Sequence, residues 1–154
     1  MVFGRAKQKL SSALTGEPTV EPLNDAEVRW RDRHIGMAAQ LAEQVVGSTG
    51  PLPSLAALDR CVEVYSSGSH GPAEAQTFVT VIGLAFGAHV ARDTGLGWVL
   101  ATDRAGRDLA LHRGEGNVLV YPASSVAQRI GRGETGFLVP LHASLVQAVQ
   151  QISA

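Results

Sequence analysis

The residues of this chain whose types could do chemistry are five histidines, one cysteine and a few serine- and glycine-rich strings. His89 and Asp93 stand four residues apart, a spacing that puts both side chains on one face of a helix. Such a pair can work as acid and base; it is equally the pattern of a partly buried histidine paired near a helix end. The other histidines, His34, His70, His112 and His142, show neither HExxH nor any other metal-ligand spacing, so a metal site would have to be assembled from distant segments. Ser66-Ser67-Gly68-Ser69-His70-Gly71 sets serines beside a histidine, but the strained nucleophile elbow is missing and the composition is that of a loop. Gly131-Arg132-Gly133-Glu134-Thr135-Gly136 matches G-x-G-x-x-G as a string. It follows a helical pattern rather than a strand, so no helix N-terminus would meet a phosphate there. Gly95-Leu96-Gly97 has a helix before it and a strand after it, and Gly47-Ser48-Thr49-Gly50 lacks the lysine of a phosphate loop. Cys61 sits beside an apolar stripe with nothing nearby in sequence to lower its pKa, which reads as a buried, inert thiol. The sequence therefore assigns no catalytic residue, no metal ligand and no cofactor.

One segment gathers groups suited to binding. Asp103, Arg104, Arg107 and Asp108 bring both signs of charge to a single turn. Trp98 starts the strand that leads into that turn, and Tyr121 ends a later strand. Aromatics and arginines are common anchors of protein interfaces, so these six are the candidate binding residues. The plainer account is a solvated hairpin whose ion pairs are worth little each, with the tryptophan in the core. Arg29, Arg31 and Arg33 with Asp32 read as a solvated helix flank.

The elements that must position these groups follow from periodicity. Val2 to Leu14 reads as a short helix with Phe3, Ala6, Leu10 and Ala13 on one side and Arg5, Lys7 and Lys9 on the other. It suits a docked terminal helix, or a segment that tethers the chain to a membrane surface or a partner. Gly16, Pro18 and Pro22 break the pattern and read as a linker, dividing the chain into an N-terminal helix and linker over 1–22 and one α+β domain over 23–154. Asn24 and Glu27 form a capping box, with Leu23 and Val28 at the staple positions. Val28, Ile35, Ala38, Ala42 and Val45 then make an apolar stripe, with Trp30, Met37 and Leu41 beside it. A helix with Leu55, Leu58, Val62 and Tyr65 on one face comes next. Pro72 opens a helix to Thr94 that is apolar nearly all round, as a central helix should be, and Gly83 and Gly87 lie one turn apart where a neighbour can come close. Gly95-Leu96 matches a left-handed cap. Trp98–Thr102, Arg107–His112 and Val118–Tyr121 read as three strands joined by short turns, hence an antiparallel meander. Pro122 and Pro140 each open a closing helix, the last carrying Leu141, Leu145, Val149 and Ile152 on a face. The expected fold is α+β: a helical N-terminal half, a long central helix packed on the meander, and two C-terminal helices.

From about Ala85 to Glu134 these parts fall in a particular order. Gly95-Leu96-Gly97-Trp98-Val99 is followed by Thr102-Asp103, then Gly106-Arg107-Asp108-Leu109-Ala110-Leu111, then Asn117-Val118-Leu119-Val120-Tyr121-Pro122, and finally Gln128-Arg129-Ile130 and Gly133-Glu134. That series resembles a bacterial family known only as domain of unknown function 3806. Tyr121-Pro122-Ala123-Ser124-Ser125 departs from it where the family has a pattern like Phe-Pro-Leu-Ser, which softens the apolar start of that helix. The resemblance implies the α+β fold and small accessory proteins with an immunity or partner-binding role; it brings no activity with it.

Composition bounds the rest. The 154 residues suit one domain, and at that size roughly 70% of the unfolded surface is buried. Thirteen basic against fourteen acidic residues leave a net charge of −1, without the basic excess that phosphate neutralisation asks of a nucleic-acid binder. One cysteine makes no internal disulfide, Met1 to Leu14 lacks the apolar core of a signal peptide, and the apolar run Thr77–Ala91 falls short of the roughly 20 residues needed to span a bilayer. The expectation is a cytoplasmic, non-catalytic protein that binds another protein, as an immunity-like inhibitor or the subunit of a small complex. Its alternative is an enzyme or small-molecule binder whose pocket gathers around His89 and Asp93.

Overall fold

The computed structural model describes residues 18–153. The basic helix expected over Val2–Leu14 lies outside the described residues. In chain order the elements are β1 (Thr19–Pro22), α1 (Asp25–Val46), α2 (Leu55–Ser66), α3 (Pro72–Thr94), β2 (Gly97–Asp103), β3 (Gly106–Arg113), β4 (Val118–Val120), α4 (Pro122–Gly131) and α5 (Leu138–Ser153). The fold is α+β, as the pattern of elements predicts.

Two details differ from the expectation. The sheet has four antiparallel strands, in the order β1-β2-β3-β4, rather than three. The added strand is Thr19–Pro22, part of the stretch read as a linker, which pairs with β2 from Thr19↔Thr102 to Pro22↔Val99. It carries no alternating pattern because it is an edge strand and all four of its residues are exposed, and an edge position tolerates proline. The last helix starts two residues before Pro140, at Leu138. The Asp59 carboxylate on α2 sets that start by accepting the backbone N–H of Leu138 at 2.9 Å and of Val139 at 3.3 Å. A helix N-terminus leaves such N–H groups without partners, and a carboxylate is the best acceptor for them.

Other local signals are realised as read. The Asn24–Glu27 box closes in both directions at 2.8 Å, and Gly47 and Gly95 end α1 and α3 in the left-handed conformation. α3 is the central helix, buried from Val81 to Gly87. A Cβ at Gly83 would lie 2.5 Å from the Ala123 Cα, and one at Gly87 would lie 2.6 Å from the Trp98 ring and 2.8 Å from Pro122. The two glycines are thus where α4 and β2 press against α3.

Strand alternation gives the sheet two unlike faces. Trp98, Leu100, Leu109 and Leu111 point toward the helices: Leu100 and Leu109 cluster with Leu84 of α3, and Leu111, Val118 and Val120 join the main core. Val99, Ala101, Ala110 and Leu119 point the other way and form a separate cluster with Tyr121.

Candidate functional site

α1, α2 and α3 do not close fully on one another. Between them runs an open groove of about 700 Å³, within the range of ligand-binding cavities. Met37, Leu41 and Val45 line its α1 side one turn apart; Cys61, Val64 and Tyr65 come from α2; Phe78 and Val81 come from α3. These residues face the groove because α1 is apolar over more than one face. Ala38 and Ala42 carry the fully buried seam, and the wider stripe beside it is left half-buried. Gln40, Gln44, Thr77 and Glu74 supply the polar rim.

One end of the groove is a stack of rings. Tyr65 lies against Phe78 with centroids 3.8 Å apart and against His70 at the same separation, both pairs nearly parallel. The His70 Nε2–H donates to the Tyr65 carbonyl at 2.8 Å, and its Nδ1–H donates to the Glu74 carboxylate. The backbone bond to Tyr65, and then the bond to Glu74, raise the His70 pKa above its ordinary value. Cys61 is almost fully buried at the groove's base, and that burial pushes its thiol pKa up. The serine–histidine string therefore provides no nucleophile and base. It delivers a histidine that stiffens the groove's end.

The six candidate binding residues do not form one surface. Trp98 is half-buried against Gly87 of α3, with the Arg31 guanidinium 5.8 Å from its ring centre. Tyr121 is buried on the opposite face of the sheet, and its hydroxyl donates to Asp103 at 3.0 Å. Asp103 also accepts the Ala105 N–H at 2.8 Å, which holds the hairpin turn. Asp108 accepts a long bond from the Ser124 hydroxyl, 3.4 Å, at the side of a second, smaller cleft of about 420 Å³. Arg104 and Arg107 are exposed at the hairpin, where Arg107 lies 3.6 Å from Glu21 of β1.

His89 and Asp93 share a helix but turn to different partners. The His89 Nε2–H donates to the buried Pro53 carbonyl at 2.7 Å, while Nδ1 has no partner among the described residues. Burial is the main reason that the His89 pKa lies below its ordinary value. Asp93 is clasped by Arg92 through two bonds of 2.9 Å and accepts the His142 Nε2–H at 2.8 Å, and chiefly the Arg92 bonds pull its pKa down to about 2. The His89 and His142 rings meet edge-on at 6.4 Å. Neither the groove nor the smaller cleft is lined by any of these three residues. Among the described residues no group of three or more histidine, cysteine or acidic side chains could hold a metal ion, and no helix is long and apolar enough to cross a membrane.

The groove was not visible as a unit in the sequence, since its walls come from three helices. The one available signal was the surplus of large apolar residues on α1, Met37 and Leu41, beside an already complete stripe.

Fold and site together define an α+β domain in which the helices back one face of a four-stranded sheet and leave an apolar groove between three of themselves. Residues 58–141, more than half of the chain, match the family model described as a domain of unknown function, DUF3806, and the chain belongs to that family. The matched stretch runs from α2 into α5 and extends beyond the central third that carries the resemblance in sequence. β1 and α1 precede it, so the Met37–Leu41–Val45 wall of the groove lies outside the match. No curated protein and no solved structure matches the chain.

Proposed function

We propose that the chain is a non-catalytic accessory protein that binds another protein by taking one of its amphipathic helices into the groove between α1, α2 and α3. The observation that carries this reading is the open apolar groove itself. Helix-in-groove recognition uses apolar anchors spaced one turn apart, and Met37, Leu41 and Val45 present that spacing over about 12 Å of α1. Val64, 41% exposed on the facing wall, is a large apolar side chain left in solvent. The charged members of the lining, His70 and Glu74, pair with each other, so an incoming apolar helix would strip water from no lone charge there. A polar rim around an apolar centre is the ordinary anatomy of a protein interface. Arg104 and Arg107, exposed at the hairpin, offer a second contact. In this reading the chain serves a bacterial cell as an inhibitor or small-complex subunit, works in the cytoplasm where Cys61 stays a thiol, and has no nucleic-acid partner.

The test is affinity capture of the tagged chain from its own cells with chemical crosslinking, run beside Val64→Asp and Arg107→Ala. Support would be one stoichiometric protein whose crosslinks fall around the groove and which is lost with folded Val64→Asp. A partner that Val64→Asp retains would move the interface away from the groove. A small molecule recovered from the native protein by mass spectrometry would replace the reading with ligand binding.

One observation favours a second reading, in which the chain is an enzyme or small-molecule binder. The structure does bring His142 to Asp93, with His89 close behind, an acid–base grouping assembled from α3 and α5. Weakened binding of a metabolite in His142→Ala, in a screen against the folded protein, would be its signature.

A further inference from the structure

α1, α3, β3 and the start of α4 border the smaller cleft of about 420 Å³, which neither the groove nor the His142–Asp93 grouping uses. Its volume is that of a small-molecule site. Leu84 and Leu109 supply buried apolar lining. Gly83 helps to fix one wall: having no Cβ, it lets Ala123 press on α3, and the next residue, Ser124, borders the cleft beside Asp108 of β3. The half-buried polar side chains of the lining, His34, Thr80, Ser124 and Asp108, share one character. The His34 Nδ1–H donates to the Trp30 carbonyl at 2.7 Å, so the neutral ring keeps a lone pair on Nε2. The Thr80 hydroxyl donates to the Gln76 carbonyl at 2.9 Å and the Ser124 hydroxyl donates to Asp108 at 3.4 Å, which leaves both oxygens as acceptors. The Asp108 carboxylate has about four lone-pair sites, room for a further donor beside the partners it has. Side-chain donors sit instead on exposed residues of the lining, Trp30, Gln76 and Thr77. The start of α4 adds backbone N–H groups, but Pro122 has none, and the full charge of Asp108 exceeds the roughly half charge of a helix N-terminus. Among the described residues no lysine or arginine lines the cleft. Trp30, 38% exposed and set against the His34 ring at 4.2 Å, adds an indole, the ring that cations favour most.

We propose that this cleft binds a small organic cation, a protonated amine carried on a flat apolar body. The ammonium head supplies the hydrogens that the half-buried groups have given away, and the apolar body lies against Leu84 and Leu109. An alcohol brings one hydrogen where an ammonium brings three. A carboxylate meets lone pairs and the Asp108 charge, and is refused. The cleft is separate from the groove between α1, α2 and α3, so an amine seated here leaves the helix-binding reading as it stands.

NMR titration of the full isotope-labelled chain with phenethylamine, phenethyl alcohol and hydrocinnamate tests this with one ring on three heads. The amine should shift the amides of Thr80, Leu84, Leu109 and Ser124 saturably and leave Met37, Leu41, Val45 and Val64 in place. Its Kd should be at least ~10-fold below that of either other probe, the difference made by hydrogen bonds to a charged group. Asp108→Asn should weaken the amine by a similar factor and Trp30→Ala by several-fold. Ala127→Leu, which fills the cleft from α4, should abolish the shifts, while Val64→Asp in the groove should not change them; the amide spectrum of each variant shows that it is folded. Three results would overturn the proposal. Equal affinity for the three heads would make the cleft an unselective apolar pocket. Shifts at Met37, Leu41 and Val64 would seat the amine in the groove and favour ligand binding there over a partner helix. Cleft amides that do not move with the amine would remove the site and leave the groove reading untouched.

Discussion

His70 holds the polar end of the groove by giving both of its ring N–H groups away, one to a carbonyl and one to a carboxylate. A histidine in that position is most stable as the cation, and its flat charge lies over the Tyr65 ring, a favourable cation–π arrangement. Its raised pKa means that this arrangement contributes below the ordinary value of 6.5 and is lost as pH rises through the folded value. We expect Glu74→Gln to lower the His70 pKa in an NMR titration and to loosen the ring stack at neutral pH. His89 has the opposite sign. Its folded pKa lies below 6.5, so the unfolded chain binds the extra proton first, and stability falls as pH drops below 6.5 toward the folded value. The carbonyl of Pro53 requires the hydrogen on Nε2, which predicts a neutral Nε2–H tautomer in a nitrogen-detected spectrum at neutral pH. It also predicts that His89→Gln, which keeps an N–H donor but cannot titrate, flattens the loss of urea midpoint between about pH 7 and about pH 5.

At the scale of elements the glycines separate packing from propensity. Gly36 lies inside α1 with nothing within 4 Å of where a Cβ would sit, so Gly36→Ala should stabilise the protein by about 0.5–1 kcal/mol through helix propensity alone. Gly83→Ala makes the same change inside α3 but meets the Ala123 backbone at 2.5 Å, an obstacle that no side-chain rotation can remove. Overpacking there should outweigh the propensity gain and cost about 1–2 kcal/mol net. Equilibrium urea unfolding of the two variants would show shifts of opposite sign; two shifts of the same sign would mean that α4 does not press on α3 as described. Asp59→Ala should cost about 1–2 kcal/mol by removing the carboxylate that caps α5. These cases mark how far the sequence can be read. The Gly83–Gly87 pair announces a close neighbour because both glycines stand on one helix face, and the Asn24–Glu27 box announces a helix start because its partners are three residues apart. Asp59 gives no such signal, since its partners lie about eighty residues away. β1 was hidden for another reason: an exposed edge strand has no buried side chains to impose a period. The groove was hidden because it is a gap between three helices, each of which looks unremarkable by itself. The same limit holds for Trp98 and Tyr121, whose composition suggests interface anchors while the pleat sends them to opposite faces of the sheet.

At the scale of the whole molecule the helices complete a core yet leave a route into it, and Cys61 marks how deep that route goes. The residue is 2% exposed where it lines the groove, and burial raises its thiol pKa. Little thiolate forms there, and Val64 and Leu41 line the same groove. Thiolate is the reactive form, so the native protein should react with an aromatic disulfide reagent at least ~10-fold more slowly than the urea-unfolded chain. Val64→Ala opens the outer wall without touching the buried seam. Val64 is 41% exposed, so the change should cost less than about 1 kcal/mol while speeding the modification of Cys61. If the groove is where a partner helix sits, a saturating partner should slow the reaction further and erase the difference between Val64→Ala and the parent. Equal protection with and without the partner would put its contact surface elsewhere on the fold, with the exposed arginines of the β2–β3 hairpin next to be examined.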